Sequence, residues 1–328
     1  MDMAKRLLRA KAEQTKRRHP HNGPVGTHLV KLIVRLSLVL TSAELIFRYV
    51  CGFGDPVVVE TDPIIEYQLV ASKRYRRFHN DIFINSHRMR SREFEWDKVD
   101  EARVLLVGDS IVYGDHHLDQ TATISAQLEQ QLATMQCPAL VMAAATSSWG
   151  PKNELEFLNR YGFFHAQAVV VVLSTHDHLD YPSFNNWDIP YALTPAWTAV
   201  SDVVHRVFTW GVKWATPSVQ LAPLNREQLS LVALQQLLAL ATVQAPWVEI
   251  QVHPTRHELE TGKFFGLEYF TRHAQPFNLP ISPTYSPTLT STAQRLYADD
   301  IHPSKLGARL IAQSLAKRLR PHLQCAPE

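Results

Sequence analysis

The chain predicts an α/β fold: a mostly parallel sheet with helices on both faces, in three layers. Three observations predict it. Strand-like runs recur at 103–107, 138–142, 168–173 and 247–252, with a further strand expected near 278–282. Stretches with helical spacing alternate with them, near 121–134, 151–161, 226–243 and 304–319. The first three runs each end in a polar break, and in such sheets ligands bind at the carboxyl ends of the strands.

The elements follow in order. Residues 1–27 hold seven Lys/Arg and two Asp/Glu, net +5, together with Pro20, Gly23, Pro24 and Gly26. They read as a basic cytoplasmic tail without a core of its own. The whole chain of 328 residues carries only +2, so the remainder is at −3 and a general polyanion binder is excluded. No nucleic-acid-binding motif accompanies the tail, so no nucleic-acid partner is expected. At 45% hydrophobic and 20% charged, the composition is that of an ordinary globular protein.

Leu29 to Val50 has the length to cross a bilayer, although Lys31, Arg35, Glu44 and Arg48 interrupt it. Lys31 and Arg35 lie where they can snorkel, and Glu44 and Arg48 are one helical turn apart and can pair. The expectation is a single transmembrane anchor over 28–50, with the lipid bilayer as partner and the N-terminus cytoplasmic. An amphipathic surface helix and a core helix are the alternatives. No small-x-small site follows cleanly, which disfavours a cleaved signal peptide. The three cysteines, Cys51, Cys137 and Cys325, show no metal-ligand spacing, and their odd number permits one disulfide at most.

Residues 51–100 form a β-rich lead-in, with extended runs at Pro56–Glu60 and Asp81–Ser86. The strand at 103–107 then breaks at Gly108-Asp109-Ser110-Ile111-Val112-Tyr113-Gly114. This is not the Gly-x-Ser-x-Gly elbow, because residue 112 is Val. Near the other end stands Asp299-Asp300-Ile301-His302-Pro303, a carboxylate three residues before a histidine, ahead of a helix that Ser304 can cap. Serine, histidine and carboxylate are the parts of a hydrolytic triad.

On Gly108-Asp109-Ser110 with Gly114, and on Asp299-x-x-His302, the chain resembles the SGNH hydrolases of the GDSL esterase/lipase superfamily. Ala43-Glu44-Leu45-Ile46-Phe47-Arg48 and Asn85-Ser86-His87-Arg88-Met89-Arg90 resemble strings found in the membrane-anchored bacterial type, so the likeness runs from about 43 to 320. It implies a flavodoxin-like αβα hydrolase domain over 101–322. It also implies Ser110 as nucleophile, His302 as general base and Asp299, rather than Asp300, as the residue orienting it. The Ser110 and Ser148 backbone N–H groups and the His176 side chain would form the oxyanion hole. Ser148 stands where relatives have glycine, and His176 where they have asparagine; a histidine N–H can donate the same bond. An ordinary turn and a loop histidine are the alternatives. Asp109, Trp149, Gly150 and Asp177 are candidate substrate contacts.

The function implied is serine-dependent ester hydrolysis or O-acyl (acetyl) transfer, without a cofactor. By resemblance the substrate is an acylated carbohydrate or another small ester, tied to cell-envelope or exported polysaccharide machinery at the periplasmic face of a bacterial inner membrane. The rival class is a non-catalytic or metal-dependent envelope protein that keeps the fold. Two clusters bear on it, Asp115-His116-His117-Leu118-Asp119 and His176-Asp177-His178-Leu179-Asp180; they read as solvated loops, and no metal is expected. Residues 181–224 look like an aromatic-rich insertion, with Tyr181, Phe184, Trp187, Tyr191, Trp197, Phe208, Trp210 and Trp214. Those rings suit packing, a wall for a sugar or acyl chain, or a membrane surface.

Overall fold

In the computed structural model the described residues are 24–97, 100–186, 188–215 and 225–325. The basic tail before Pro24, Trp187 and residues 216–224 of the insertion lie outside them, and the Trp210 and Trp214 side chains are likewise outside.

The lead-in consists of two antiparallel hairpins. Strand β1 (Val59–Asp62) pairs with β2 (Glu66–Leu69), and β3 (Lys73–Arg77) with β4 (Asn80–Ile84). The main sheet follows: β5 (Ala102–Gly108), β6 (Ala139–Ala145), β7 (Ala168–Ser174), β8 (Trp247–His253) and β9 (Ile281–Pro283). Its order is β6-β5-β7-β8-β9 and every pairing is parallel. β5, β6 and β7 are buried along their whole length, as strands covered on both faces must be. The four expected helices are present at Ile124–Thr134, Pro151–Tyr161, Arg226–Gln244 and Lys305–Leu319. The last is capped by Ser304, whose hydroxyl accepts from Gly307 N–H at 3.2 Å.

The chain leaves β5 for β6 on one side and then crosses back to β7 on the other. That reversal puts the crevice between the loops after β6 and β7 directly beyond the end of β5.

Helix Pro24–Leu45 continues into a π turn, Ile46–Val50. Among the described residues no helix is long and apolar enough to cross a membrane, so the expected transmembrane segment is not supported on length and hydropathy. Lys31, Arg35 and Glu44 are the physical reason, each breaking the apolar run. Leu29, Val30, Leu32, Ile33, Val34, Leu36, Leu38, Val39 and Leu40 are nonetheless all exposed, on every face of the helix. The expected Glu44–Arg48 pair forms at 2.7 Å. Glu44 also accepts from Val200 N–H at 3.0 Å, at the start of the insertion helix Ala199–Ala215. A buried ion pair, Arg77 with Asp202, fastens that helix to the lead-in, and Asp202 also accepts from Gly54 N–H at 2.8 Å.

Cys137 and Cys325 form a disulfide that joins the segment before β6 to the C-terminal end, 188 residues away; Cys51 is free and exposed. Closing so long a loop restricts the unfolded chain. Cys137→Ser is therefore expected to lower stability by about 2–5 kcal/mol. Denaturant melts of native, variant and reduced protein measure it, and coincident curves for the three would refute the stabilising role.

Candidate active site

Ser110 opens a single helical turn, Ser110–Tyr113, directly after β5. Its neighbour Asp109 caps that turn, accepting from Ile111 N–H at 2.8 Å, so the Ser110 N–H at the turn's first position stays without an intrahelical acceptor. Two glycines make the turn possible. A Cβ at Gly108 would lie 2.8 Å from the Val172 carbonyl of the adjacent strand, and Gly114 ends the turn at φ 77°.

The far end of the chain delivers the other two groups. His302 Nε2 lies 3.0 Å from Ser110 Oγ, and His302 Nδ1 lies 2.7 Å from Asp299 Oδ2. Asp299 is held by its own loop, its Oδ1 accepting from Ile301 N–H at 2.9 Å and His302 N–H at 2.8 Å. Burial works to raise the Asp299 carboxyl, but the two N–H donors and His302 carry it down to about 2. Asp300, the neighbouring alternative, turns away to Arg256. Serine, histidine and aspartate thus form one continuous hydrogen-bonded chain across 192 residues of sequence.

Ser148 follows β6 and His176 follows β7, so both share the rim with Ser110, as the alternation of elements implies. Ser148 is exposed, with φ 60°, in a turn closed by Trp149 N–H to Thr146 O at 3.4 Å. Its N–H has no acceptor among the described residues. His176 is exposed, and its ring makes no hydrogen bond among the described residues.

The four candidate substrate contacts make hydrogen bonds within the protein. Asp109, Trp149, Gly150 and Asp177 are all buried and occupied. Trp149 Nε1–H donates to Tyr67 O at 3.0 Å, and Gly150 N–H to Asn153 Oδ1 at 3.0 Å. Asp177 closes its own turn, accepting from Ser174 N–H at 2.8 Å and Ser174 Oγ–H at 2.6 Å. These residues shape the loops from within. Burial, the main cause, pushes the Glu154 and Asp177 carboxyls upward from the usual carboxylate range.

The two histidine-acid clusters differ. His178 Nδ1–H donates to its own turn, to Thr175 O at 2.9 Å. The first cluster instead reaches the triad. His116 bonds Asp115 at 3.0 Å, and His117 Nε2 lies 3.5 Å from Asp299 Oδ2. Two sets, Asp115-His116-His117 and His117-Asp299-His302, bring their ligand atoms within 4.8 Å of one another. A metal on the second set would take the carboxylate and imidazole that already serve Ser110. Burial and the neighbouring His116 hold His117 below the usual imidazole range.

Several residues that hold the site have partners no local sequence pattern indicates. Arg90 is fully buried, and its guanidinium donates to the carbonyls of Tyr113 (3.1 Å), Asp115 (2.5 Å), Leu118 (2.7 Å) and Asp81 (3.3 Å). Tyr67 and Tyr191 grip the Ser147 backbone. His253, at the end of β8, donates from Nε2 to Ile301 O at 2.8 Å and accepts at Nδ1 from Thr284 Oγ1 at 2.8 Å, which ties the triad loop to the sheet.

No protein-family model matches the chain, and no curated protein matches it. Similar solved structures include a lipase/acylhydrolase from Enterococcus faecalis, at 14% identity and TM-score 0.44, covering 69% of this chain and 100% of that one. A psychrotrophic esterase from Pseudoalteromonas sp. is similar at 12% identity and TM-score 0.41 over 67% of this chain and 98% of that one. A catalytic mutant of an acetylxylan esterase from Geobacillus stearothermophilus is similar at 14% identity and TM-score 0.43 over 67% and 94%. At that level of likeness the triad's own geometry has to carry the functional reading.

His253 makes the triad loop sensitive to acid. Burial, as the main cause, lowers its ring from the ordinary 6.5 to about 4. Between those values the unfolded chain binds a proton that the native state refuses. Stability from this group is therefore complete above about 6.5 and lost as pH falls to about 4, by as much as about 3 kcal/mol. Denaturant melts between about pH 7 and pH 4.5 should show that fall in the native protein and a shallower one in His253→Gln; parallel slopes would contradict it.

Proposed function

We propose that this chain is a serine ester hydrolase of the SGNH type. The observation that carries the reading is the hydrogen-bonded series Ser110 Oγ, His302 Nε2, His302 Nδ1, Asp299 Oδ2, at 3.0 and 2.7 Å. Ser110 Oγ attacks the ester carbonyl as His302 Nε2 takes its proton, while Asp299 holds the other ring N–H and supports the imidazolium. The N–H groups of Ser110 and Ser148, and the His176 ring, receive the developing oxyanion. Collapse breaks the ester C–O bond as His302 returns the proton to the leaving alkoxide. A second hydroxyl, from water or a sugar, then takes the acyl group by the same steps in reverse.

An acylated carbohydrate or another small ester is the substrate class. Exposure supports it: the Asp299 side chain is 43% exposed and that of His302 21%, so a bulky alcohol or sugar can approach the base from solvent. The intact triad argues against a non-catalytic scaffold.

The same reading places the hydrolase domain outside the cytoplasm, beside a membrane and within reach of envelope polysaccharide machinery. Two observations support it. A disulfide persists in oxidising compartments. The helix Pro24–Leu45 leaves apolar side chains exposed on every face, which suits lipid at its core with Lys31 and Arg35 reaching toward the interface. A phosphatase reporter fused near residue 60 should be active, and the full-length protein should sediment with membranes; recovery in the soluble cytosol would sink the placement.

Chemistry is tested with a short-chain p-nitrophenyl ester and a serine-directed covalent probe. Ser110→Ala should abolish turnover and labelling with the fold intact, and His302→Ala should be about as severe, since triad members act as a unit. Asp299→Asn should be milder. His176→Ala should lower kcat about 10²–10³-fold and His176→Asn recover much of it. Full turnover in Ser110→Ala would refute the triad; equal activity in native, His176→Ala and His176→Asn would remove His176 from the oxyanion hole.

A further inference from the structure

Ser148 is a non-glycine residue at φ 60°, third in the turn Thr146–Trp149. A positive φ there is the type II arrangement, which favours glycine; a serine prefers type I, with φ of about −90°. The two types differ by turning over the central peptide, here Ser147–Ser148. That peptide is trans, so the Ser147 carbonyl and the Ser148 N–H point in opposite directions. In the type I form the carbonyl would stand where the N–H now stands, presenting an acceptor to a developing anion.

A hydroxyl from outside the sheet opposes that rotation. Tyr67, on β2 of the lead-in and buried, donates from its hydroxyl to Ser147 O at 2.7 Å. Tyr191, in the insertion, accepts from Ser147 N–H at 3.1 Å and donates to Ser147 Oγ at 2.7 Å. Trp149 Nε1–H binds the Tyr67 carbonyl, fixing the residue after the flexible peptide as well. Turning the peptide over would strand the Tyr67 hydroxyl in the interior without its acceptor, which is costly.

We infer that Tyr67, assisted by Tyr191, is a positioning residue that holds the Ser147–Ser148 peptide with its N–H toward the oxyanion. The inference rests on the esterase reading above. Tyr67 offsets the preference of serine for the wrong turn, a task that a glycine at 148 would not require.

The test uses full-length protein and steady-state hydrolysis of a short-chain p-nitrophenyl ester. Tyr67→Phe should lower kcat about ten- to a hundredfold with KM little changed, below the ceiling set by losing the donor outright. Adding Ser148→Gly to Tyr67→Phe should restore most of kcat, because glycine accepts the positive φ freely. Tyr191→Phe should show a smaller loss of the same kind. Loss of kcat at an unchanged melting temperature, rescued by Ser148→Gly, supports the assignment. No loss, or a loss that follows a lower melting temperature and is not rescued, overturns it. An inactive native protein, or an active Ser110→Ala, would instead overturn the esterase reading itself.

Discussion

The rim of this molecule depends on one buried cation. Arg90 carries its charge into the interior, where four backbone carbonyls and the Gln120 side chain satisfy it. Burial lowers its pKa, yet guanidinium is basic enough to stay charged. Three of those carbonyls, of Tyr113, Asp115 and Leu118, belong to the Ser110 turn and the loop that follows it. That loop carries His117 to Asp299. Removing the guanidinium would orphan the whole set, so the geometry around Ser110 is held from the lead-in side.

The lead-in is thus a framework for the site rather than a spacer. Arg90 grips the loop after the Ser110 turn, Tyr67 the loop after β6, and Glu66 the start of the insertion, where its carboxylate accepts from Ser183 N–H and Phe184 N–H at 2.8 Å each. Arg77 pairs with Asp202 on the insertion helix. Rim loops in a sheet of this kind are exposed and free at their tips. Here a second layer of hydrogen bonds, drawn from the lead-in, takes up that freedom.

Much of this was legible in the residues. Strands β5, β6 and β7 appear as apolar runs because they are buried on both faces, whereas β8 alternates, with Glu249, Gln251 and His253 buried; the helices between the strands keep their 3.6-residue spacing. Ser110, His302 and Asp299 could be named because each stands in a short local pattern. Tyr67 and His253 could not, and Tyr191 stood out only as one of the insertion's aromatic residues. Their partners lie 80, 44 and 48 positions away, and a bond over such a separation imposes no local periodicity. Asp109 and Asp177 are ambiguous in sequence for a related reason: an acid beside a serine turn or a rim loop looks the same whether it faces substrate or caps its own turn. The N-terminal segment shows the converse, since an apolar run can be long enough for a bilayer while its charges defeat a strict measure of hydropathy.

The disulfide between Cys137 and Cys325 has a consequence for integrity as well as stability. It makes the chain from β6 to the C-terminal end a covalent ring, with Ser110 on the arm that enters it and His302 on its circumference. A single backbone cut anywhere in that ring opens it without dividing the molecule. For a cut before His302, the piece bearing Ser110 and the piece bearing His302 stay tethered at the edge of the sheet, where the core can keep them in register. In a compartment where proteases meet exposed loops, a nicked molecule of this design remains one molecule.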